Sequence, residues 1–546
     1  MNGLCPFNQA LEKTQANHVE LSPVSFIKRA ATVYPDSTAV IYGDTQYTWS
    51  QTYRRCLQLA SVLEGYGISR GDTVSVMLPN VPSMYEAHFG VPMTGAVLNA
   101  INIRLDAESV AYILNHSGTR LLLVDPEFAG VIKKALSMLE GPAPVVINVS
   151  DPSVGEGSAI GDLDYEVLLA QQAELSECEP PIDEWDAISL GYTSGTTGNP
   201  KGVVSHHRGA YLNAVSNVLS WGLPANVVFL WTLPMFHCNG WCFPWTMAAI
   251  GGTNICLRKV DPEKILQLIE QHRVTHYCGA PVVHSMIASA AMNQSFSIQH
   301  KVSGLIAGAA PPASVFEKME RLGIELTHVY GLTETYGPAT VCVKQNEWAD
   351  RTLEERIELN GRQGVSYPLQ EEVSVLDPLT LQPVPADGRT VGEIMFRGNI
   401  VMKGYLHNKA ATDEAFAGGW FHTGDLGVMH ADGYIKISDR SKDVIISGGE
   451  NISSLEVEAV ILRHPDVEVA AVVPLTDEKW GEVPAAFVQL QEGSVLTEKT
   501  LIEFCRANMS HFKAPKKIIF DRLPTTSTGK IQKYLLRQQL AAEKTS

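Results

Sequence analysis

The chain of 546 residues is longer than one hydrophobic core usually organises, so at least two domains are expected. With 45% hydrophobic and 18% charged residues it has the make-up of an ordinary globular protein, and 42 Lys+Arg against 59 Asp+Glu give a formal net charge of -17. A field of that sign repels nucleic acid and anionic lipid, which excludes both as expected partners, and any anionic ligand needs a local site that works against it.

In chain order, residues 1–6 show no basic stretch followed by an apolar run, so no secretory signal is expected. Residues 73–78 read as a buried strand and 84–93 as a helix. Residues 121–124 and 144–149 repeat the strand signal around a helix at 131–139. Further strands are expected at 227–233, 253–257 and 304–307, with helices at 262–272 and 313–321 between them. Strands that alternate with helices imply mainly parallel sheets covered by helices. Past Gly361 the texture shifts to shorter strands, at 373–376 and 392–396, which implies a β-rich subdomain. After Arg440 a compact α+β unit follows. Ser453 or Ser454 caps a helix through 462, strands run at 467–473 and 485–490, and helices at 498–508 and 533–543. The domain boundary falls at 439–442, giving a large N-terminal α/β domain over 1–439 and a small domain over 440–546. No apolar run is long enough to span a bilayer, so no membrane insertion is expected. The nine cysteines are scattered and lack metal-ligand pairing; even Cys238 and Cys242 have no second pair to complete a zinc site. Free thiols, together with a Lys544-Thr545-Ser546 ending that is not a peroxisomal address, make the cytoplasm the expected location.

The densest chemical signal is Tyr192-Thr193-Ser194-Gly195-Thr196-Thr197-Gly198-Asn199-Pro200-Lys201-Gly202. Glycines let a backbone approach a polyphosphate and offer it amide donors, hydroxyls add more, and Lys201 adds a point charge. The run lacks the Gly-Lys-Ser/Thr ending of a Walker A loop. It resembles the signature loop of the adenylate-forming superfamily, which includes acyl-CoA synthetases, peptide-synthetase adenylation domains and beetle luciferases. Four more segments match that family in the family's order: Tyr330-Gly331-Leu332-Thr333-Glu334-Thr335, then Trp420-Phe421-His422-Thr423-Gly424-Asp425. Asp439-Arg440-Ser441-Lys442-Asp443 with Ser447-Gly448-Gly449-Glu450-Asn451 comes next, and Pro524-Thr525-Thr526-Ser527-Thr528-Gly529-Lys530 last. The matches span nearly the whole chain.

The resemblance implies that ATP adenylates a carboxylic acid, releases pyrophosphate, and the acyl group then passes to a thiol, expected to be coenzyme A. Two anions must meet in the first step, so positive charge has to be concentrated there. By resemblance Glu334 holds Mg2+ against the phosphates, and Thr333, Thr335, Thr193 and Thr196 join Ser194, Gly195, Thr197, Gly198 and Lys201 around the nucleotide. Asp425 accepts the ribose hydroxyls, as a carboxylate with two oxygens can, and Arg440 touches the same sugar. Gly308-Ala309-Ala310-Pro311-Pro312 resembles the adenine-flanking segment, although an ordinary strand-to-helix turn reads the same way. Tyr330, beside Gly331, stacks on adenine or fills the core. Lys530 bridges the acid's carboxylate and the α-phosphate. It must then withdraw, which the resemblance assigns to rotation about Lys442, bringing Gly448 and Gly449 to the pantetheine where missing side chains leave a narrow tunnel. A lysine that some relatives carry before that glycine pair is replaced here by Ile446.

Pro234-Met235-Phe236-His237-Cys238-Asn239-Gly240-Trp241 resembles the acyl-pocket segment. It lacks the aspartate by which amino-acid-activating relatives pair an ammonium, so an uncharged acyl chain is expected. His237 gates the pocket or packs in the core, and Trp241 walls off the pocket, with Gly308 nearby, or packs as an ordinary core aromatic. In detail the pattern is most similar to medium-chain acyl-CoA ligases, 3-methylthiopropionyl-CoA ligases and plant acyl-activating enzymes. The expected acid is therefore a short to medium aliphatic or thioether one, with an aryl acid, or the loading of a carrier protein, as alternatives. The resemblance also implies a homodimer.

Overall fold

In a computed structural model of the chain, the residues described are 11–151, 153–154, 159–172, 181–193, 200–294, 296–308, 313–447, 450–477, 479–525 and 531–545. Their strands form four sheets. The first, of seven strands, runs Gly404–Tyr405, Lys201–His206, Ala187–Thr193, Val97–Ala100, Thr73–Met77, Thr119–Val124 and Val145–Asn148. Its last five strands are parallel, and Thr73–Met77 is buried along its whole length, as expected of a strand covered on both faces. The second sheet has nine strands, parallel from Thr38–Tyr42 through Ile324–Leu332 and closed by antiparallel edges at Thr45–Thr48, Gly337–Val341 and Val365–Ser366. Between the sheets lies an aromatic-rich core that includes Trp49, Tyr85, Phe89, Phe229, Trp231, Phe243 and Trp245.

The third sheet is antiparallel: Glu372–Leu376, Val391–Arg397, Phe421–Met429 and Ile435–Arg440. The smaller C-terminal domain has a sheet of its own, built around the long hairpin Val467–Asp477 and Gly481–Leu490. Helices Ser454–Ile461, Glu498–Asn508 and Lys533–Thr545 accompany it, with Ser453 capping the first through its hydroxyl on the Glu456 amide. Ile445, Val457, Leu501 and Ile518 make a core there that is separate from the aromatic one. Contacts tie this domain to the end of the third sheet and to the residues just beyond it. The Ser454 hydroxyl donates to Asp439 Oδ1 at 3.0 Å, and Arg537 pairs with Asp443. Among the described residues no helix is long and apolar enough to cross a membrane.

Candidate active site

Strand register builds one end of the site. Asp425 and Arg440 are direct partners across the antiparallel pair Phe421–Met429 and Ile435–Arg440, so their side chains share a face. Arg440 Nε stands 3.0 Å from Asp425 Oδ1, and the Tyr330 hydroxyl donates to Oδ2 at 2.7 Å. Asp425 is 3% exposed, which a carboxylate tolerates only with such partners. The charge of Asp425 holds the Arg440 guanidinium more firmly protonated, while burial, reinforced by Asp425, pushes the Tyr330 phenol far up. One face of the Tyr330 ring stacks on Phe396, with centroids 5.9 Å apart.

The run expected to bind phosphate is flanked by paired backbone: Thr193 and Lys201 are register partners in the hairpin of Ala187–Thr193 with Lys201–His206. Across from it the strand ending at Leu332 turns through Thr333–Thr335, which places Glu334. The Glu334 carboxylate accepts the Tyr405 hydroxyl at 2.9 Å, and the Lys201 ammonium lies 4.7 Å from the centre of the same Tyr405 ring. Burial raises the Glu334 carboxyl above its ordinary range, and Arg440 and Asp425 are close enough for their charges to act on it. The residues expected at the ribose and at the phosphates are thus neighbours. Thr333 faces the acyl segment, with its hydroxyl oxygen 3.4 Å from Cys238 Sγ.

Two residues expected at the nucleotide by resemblance also have a local task. Thr335 is fully buried and spends its hydroxyl on its own turn, accepting the Leu332 amide at 2.9 Å and donating to the Gly337 carbonyl at 2.8 Å. Gly331 is required by the hairpin, because a Cβ there would stand 1.9 Å from the Gly337 carbonyl oxygen. Gly308 follows the strand Val302–Ile306 with φ +90°, and a Cβ on it would meet nothing within 4 Å. Lys442 is exposed, two residues beyond Arg440. Ser194, Gly195, Thr196, Thr197, Gly198, Ala309, Ala310, Pro311, Gly448, Gly449 and Lys530 lie outside the described residues.

The acyl segment has an irregular backbone. Cys238, Asn239, Gly240, Trp241 and Cys242 carry φ values of +41°, +40°, +58°, +54° and +63°, a left-handed turn in which four of five residues are not glycine. Each such residue costs about 1–2 kcal/mol, so neighbours must hold the turn. Asn217 does so by donating to the Trp241 carbonyl at 2.9 Å, and the Cys242 thiol donates to the Tyr336 carbonyl at 3.3 Å. Gly337 packs against the Trp241 backbone so closely that a Cβ would sit 2.9 Å from Trp241 Cα. Trp241 is 5% exposed, and His237 is half-buried with Nε2 4.0 Å from Cys238 Sγ. Asn217, Gly337 and Tyr405 carry no local motif; only the paired strands and the turn reveal them.

The family model described as AMP-binding enzyme matches residues 27–406, and that of the AMP-binding enzyme C-terminal domain matches residues 456–530. This chain belongs to the AMP-binding enzyme family. It is 50% identical over 544 residues to an Arabidopsis thaliana acetate/butyrate–CoA ligase, covering 96% of each chain. To a Humulus lupulus acetate–CoA ligase it is 49% identical over 545 residues, again covering 96% of each. Among solved structures, the anthranilate CoA ligase bound to anthranoyl-AMP is similar with a TM-score of 0.85 and 25% identity, over 98% of this chain and 100% of that one. The Bacillus subtilis o-succinylbenzoate coenzyme A synthetase with ATP and a magnesium ion gives 0.79 and 28%, over 94% and 99%. Four Arabidopsis relatives, 45–50% identical, are named as peroxisomal, which overturns the expectation of a cytoplasmic enzyme. Charge and free thiols describe the folded body, whereas an organelle address is read by a receptor and leaves no trace in them.

Proposed function

We infer that this chain is an ATP-dependent, AMP-forming acyl-CoA ligase whose acid is a short aliphatic one, of the size of acetate, butyrate or their branched analogues. The observation that carries the choice of a short acid is Trp241, a large side chain almost wholly buried and locked through its backbone by Asn217 and Gly337. In this reading the Trp241 indole is the end wall of the acyl pocket, which leaves room for few methylenes. The names of the acetate- and butyrate-activating relatives support the same size.

In this reading Asp425 accepts both ribose hydroxyls while keeping Arg440 and Tyr330 as its own partners, so the sugar binds against a carboxylate whose direction is already fixed. Glu334 would hold Mg2+ together with the nucleotide's oxygens; one carboxylate plus phosphates is the usual way a protein shares this cation, and when bound it neutralises phosphate charge. Thr333 lies between that carboxylate and the acyl segment, where the acid's oxygen attacks the α-phosphorus. Lys201, with Lys530, supplies the cations that let two anions approach. The border between the domains is placed at 439/440 with Lys442 as the pivot, so that Lys530 leaves and coenzyme A enters past Gly448 and Gly449. Asp439 and Asp443, held by Ser454 and Arg537 of the smaller domain, flank that pivot on both sides. A homodimer belongs to the same proposal, and light scattering at twice the chain mass tests it.

The test is a panel of acids with ATP, Mg2+ and coenzyme A, read as AMP release. Acetate, butyrate and 2-methylpropanoate are expected to turn over, and octanoate and benzoate to lag. AMP release confined to aryl acids, or transfer only to a carrier protein, would overturn the reading.

A further inference from the structure

We propose that Tyr405 is a positioning residue that aims Glu334 at the metal-bound phosphates and keeps Lys201 from closing onto it. The proposal rests on the reading of Glu334 as the metal carboxylate. Its basis is that one short segment holds Glu334 at two points. The Met402 amide donates to the Glu334 carbonyl at 2.7 Å, and three residues on the Tyr405 hydroxyl donates to Glu334 Oε1 at 2.9 Å.

The segment is itself laid on the strand that starts at Lys201. Gly404 and Tyr405 pair with Val204 and Val203, and the Lys403 and Leu406 amides donate to the Val204 and Gly202 carbonyls at 2.8 and 2.7 Å. Gly404 makes this course fit: its φ is +148°, and a Cβ would stand 2.8 Å from Thr412 Cγ2. The Thr412 hydroxyl in turn accepts the Tyr405 amide at 3.0 Å. The half-buried ring is therefore fixed from behind, with the Lys201 ammonium over its face 4.7 Å from the centre.

The ammonium rests over the face of this ring and the carboxylate takes its hydroxyl, whereas an ion pair between the two would turn both away from ligand. The ring gives the cation a resting place on its negative face, and the hydroxyl gives the carboxylate a donor on one oxygen while the second keeps its acceptor capacity. Both groups then wait apart for a ligand that bears a cation and phosphates together.

The experiment titrates the full chain by calorimetry with ATP, once with Mg2+ and once with EDTA, in four proteins: the parent, Y405F, E334Q and the double variant. Y405F keeps the ring and loses only the donor. It is expected to bind Mg2+-ATP about ten-fold more weakly, as loss of a hydrogen bond to a charged group does, with metal-free ATP binding and thermal unfolding unchanged. In the E334Q background the same change is expected to cost nothing further. Y405F that binds Mg2+-ATP like the parent while E334Q does not would overturn the proposal and leave Glu334 as metal carboxylate. So would an equal loss with and without Mg2+, or an undiminished loss in the E334Q background. E334Q that is itself indifferent to Mg2+ would instead sink the reading of Glu334, and Tyr405's task with it.

Discussion

The proposed ribose end and the proposed acyl end of the site are built in opposite ways. Asp425 and Arg440 face each other because two neighbouring strands are in register, and Tyr330 reaches them from the end of a third. Trp241 stands where it does because five successive residues take a left-handed backbone, restrained by Asn217, Tyr336 and Gly337 from elements far away in sequence. On the proposed reading, what every acid needs, a nucleotide held in one pose, is entrusted to regular strand pairing. On the same reading, what distinguishes one acid from another is entrusted to an irregular turn, whose shape can change by exchanging a few neighbours without disturbing a sheet.

The sharpest way to break this comparison is to leave both ends intact and remove the cation proposed to serve them. Lys530→Ala is expected to slow adenylation by about three orders of magnitude, in the range of a lost transition-state charge contact, yet to spare thiolation of preformed acyl-AMP. Separate assays of the two half-reactions check it. Next in size is Asp425→Ala, which strips the ribose acceptor and strands Arg440. A rise of about 100-fold in KM for ATP is expected, as for a buried charge left without its partner, with KM for the acid nearly unchanged.

At the other end Trp241→Gly should do the reverse. ATP binding is expected to hold, while hexanoate gains about ten-fold in kcat/KM over butyrate, the worth of a methylene or two in an apolar pocket. Gly337→Ala pushes on the same backbone from outside, and the same acid panel should show a weakened preference with an intact KM for ATP. The least local effect is set by pH. Burial holds His88, His206, His207, His276, His284 and His328 down to about 4, against 6.5 when exposed. Between those values the unfolded chain binds more protons than the folded one, so stability is full above about pH 6.5 and falls as pH drops toward 4. All six lie in the large domain, so melting scanned from pH 7 to 5 should lower Tm for both ends together, unlike either substitution.

Much of the regular framework was legible in the sequence. The helices Pro262–His272 and Glu498–Asn508 have the bounds their patterns predict, since each opens on a cap or a proline and carries a clear apolar stripe. The strands Thr73–Met77 and Thr119–Val124 follow from runs of branched apolar residues that only a two-sided cover explains. The partnership of Asp425 with Arg440 was half legible, as two motifs, but their direct contact depends on a register that local sequence does not carry. The left-handed turn left no signal, because only Gly240 and Asn239 among its five residues are types that favour such a backbone, and tertiary contacts impose the rest. Tyr405 was invisible for a related reason: its place beside Glu334 comes from a two-residue strand pairing across 200 positions of chain. Thr335 has a local task that the motif does not reveal, since its hydroxyl serves its own turn.

The central claim is that this pocket joins a short carboxylate to the α-phosphate of ATP. It is tested most directly by exchange of labelled pyrophosphate into ATP, with the purified chain, Mg2+ and no coenzyme A. The account predicts exchange that depends on added butyrate or acetate and disappears in Asp425→Ala at ordinary ATP concentrations. Exchange that is absent with every short acid, or that proceeds equally well with no acid present, would contradict it.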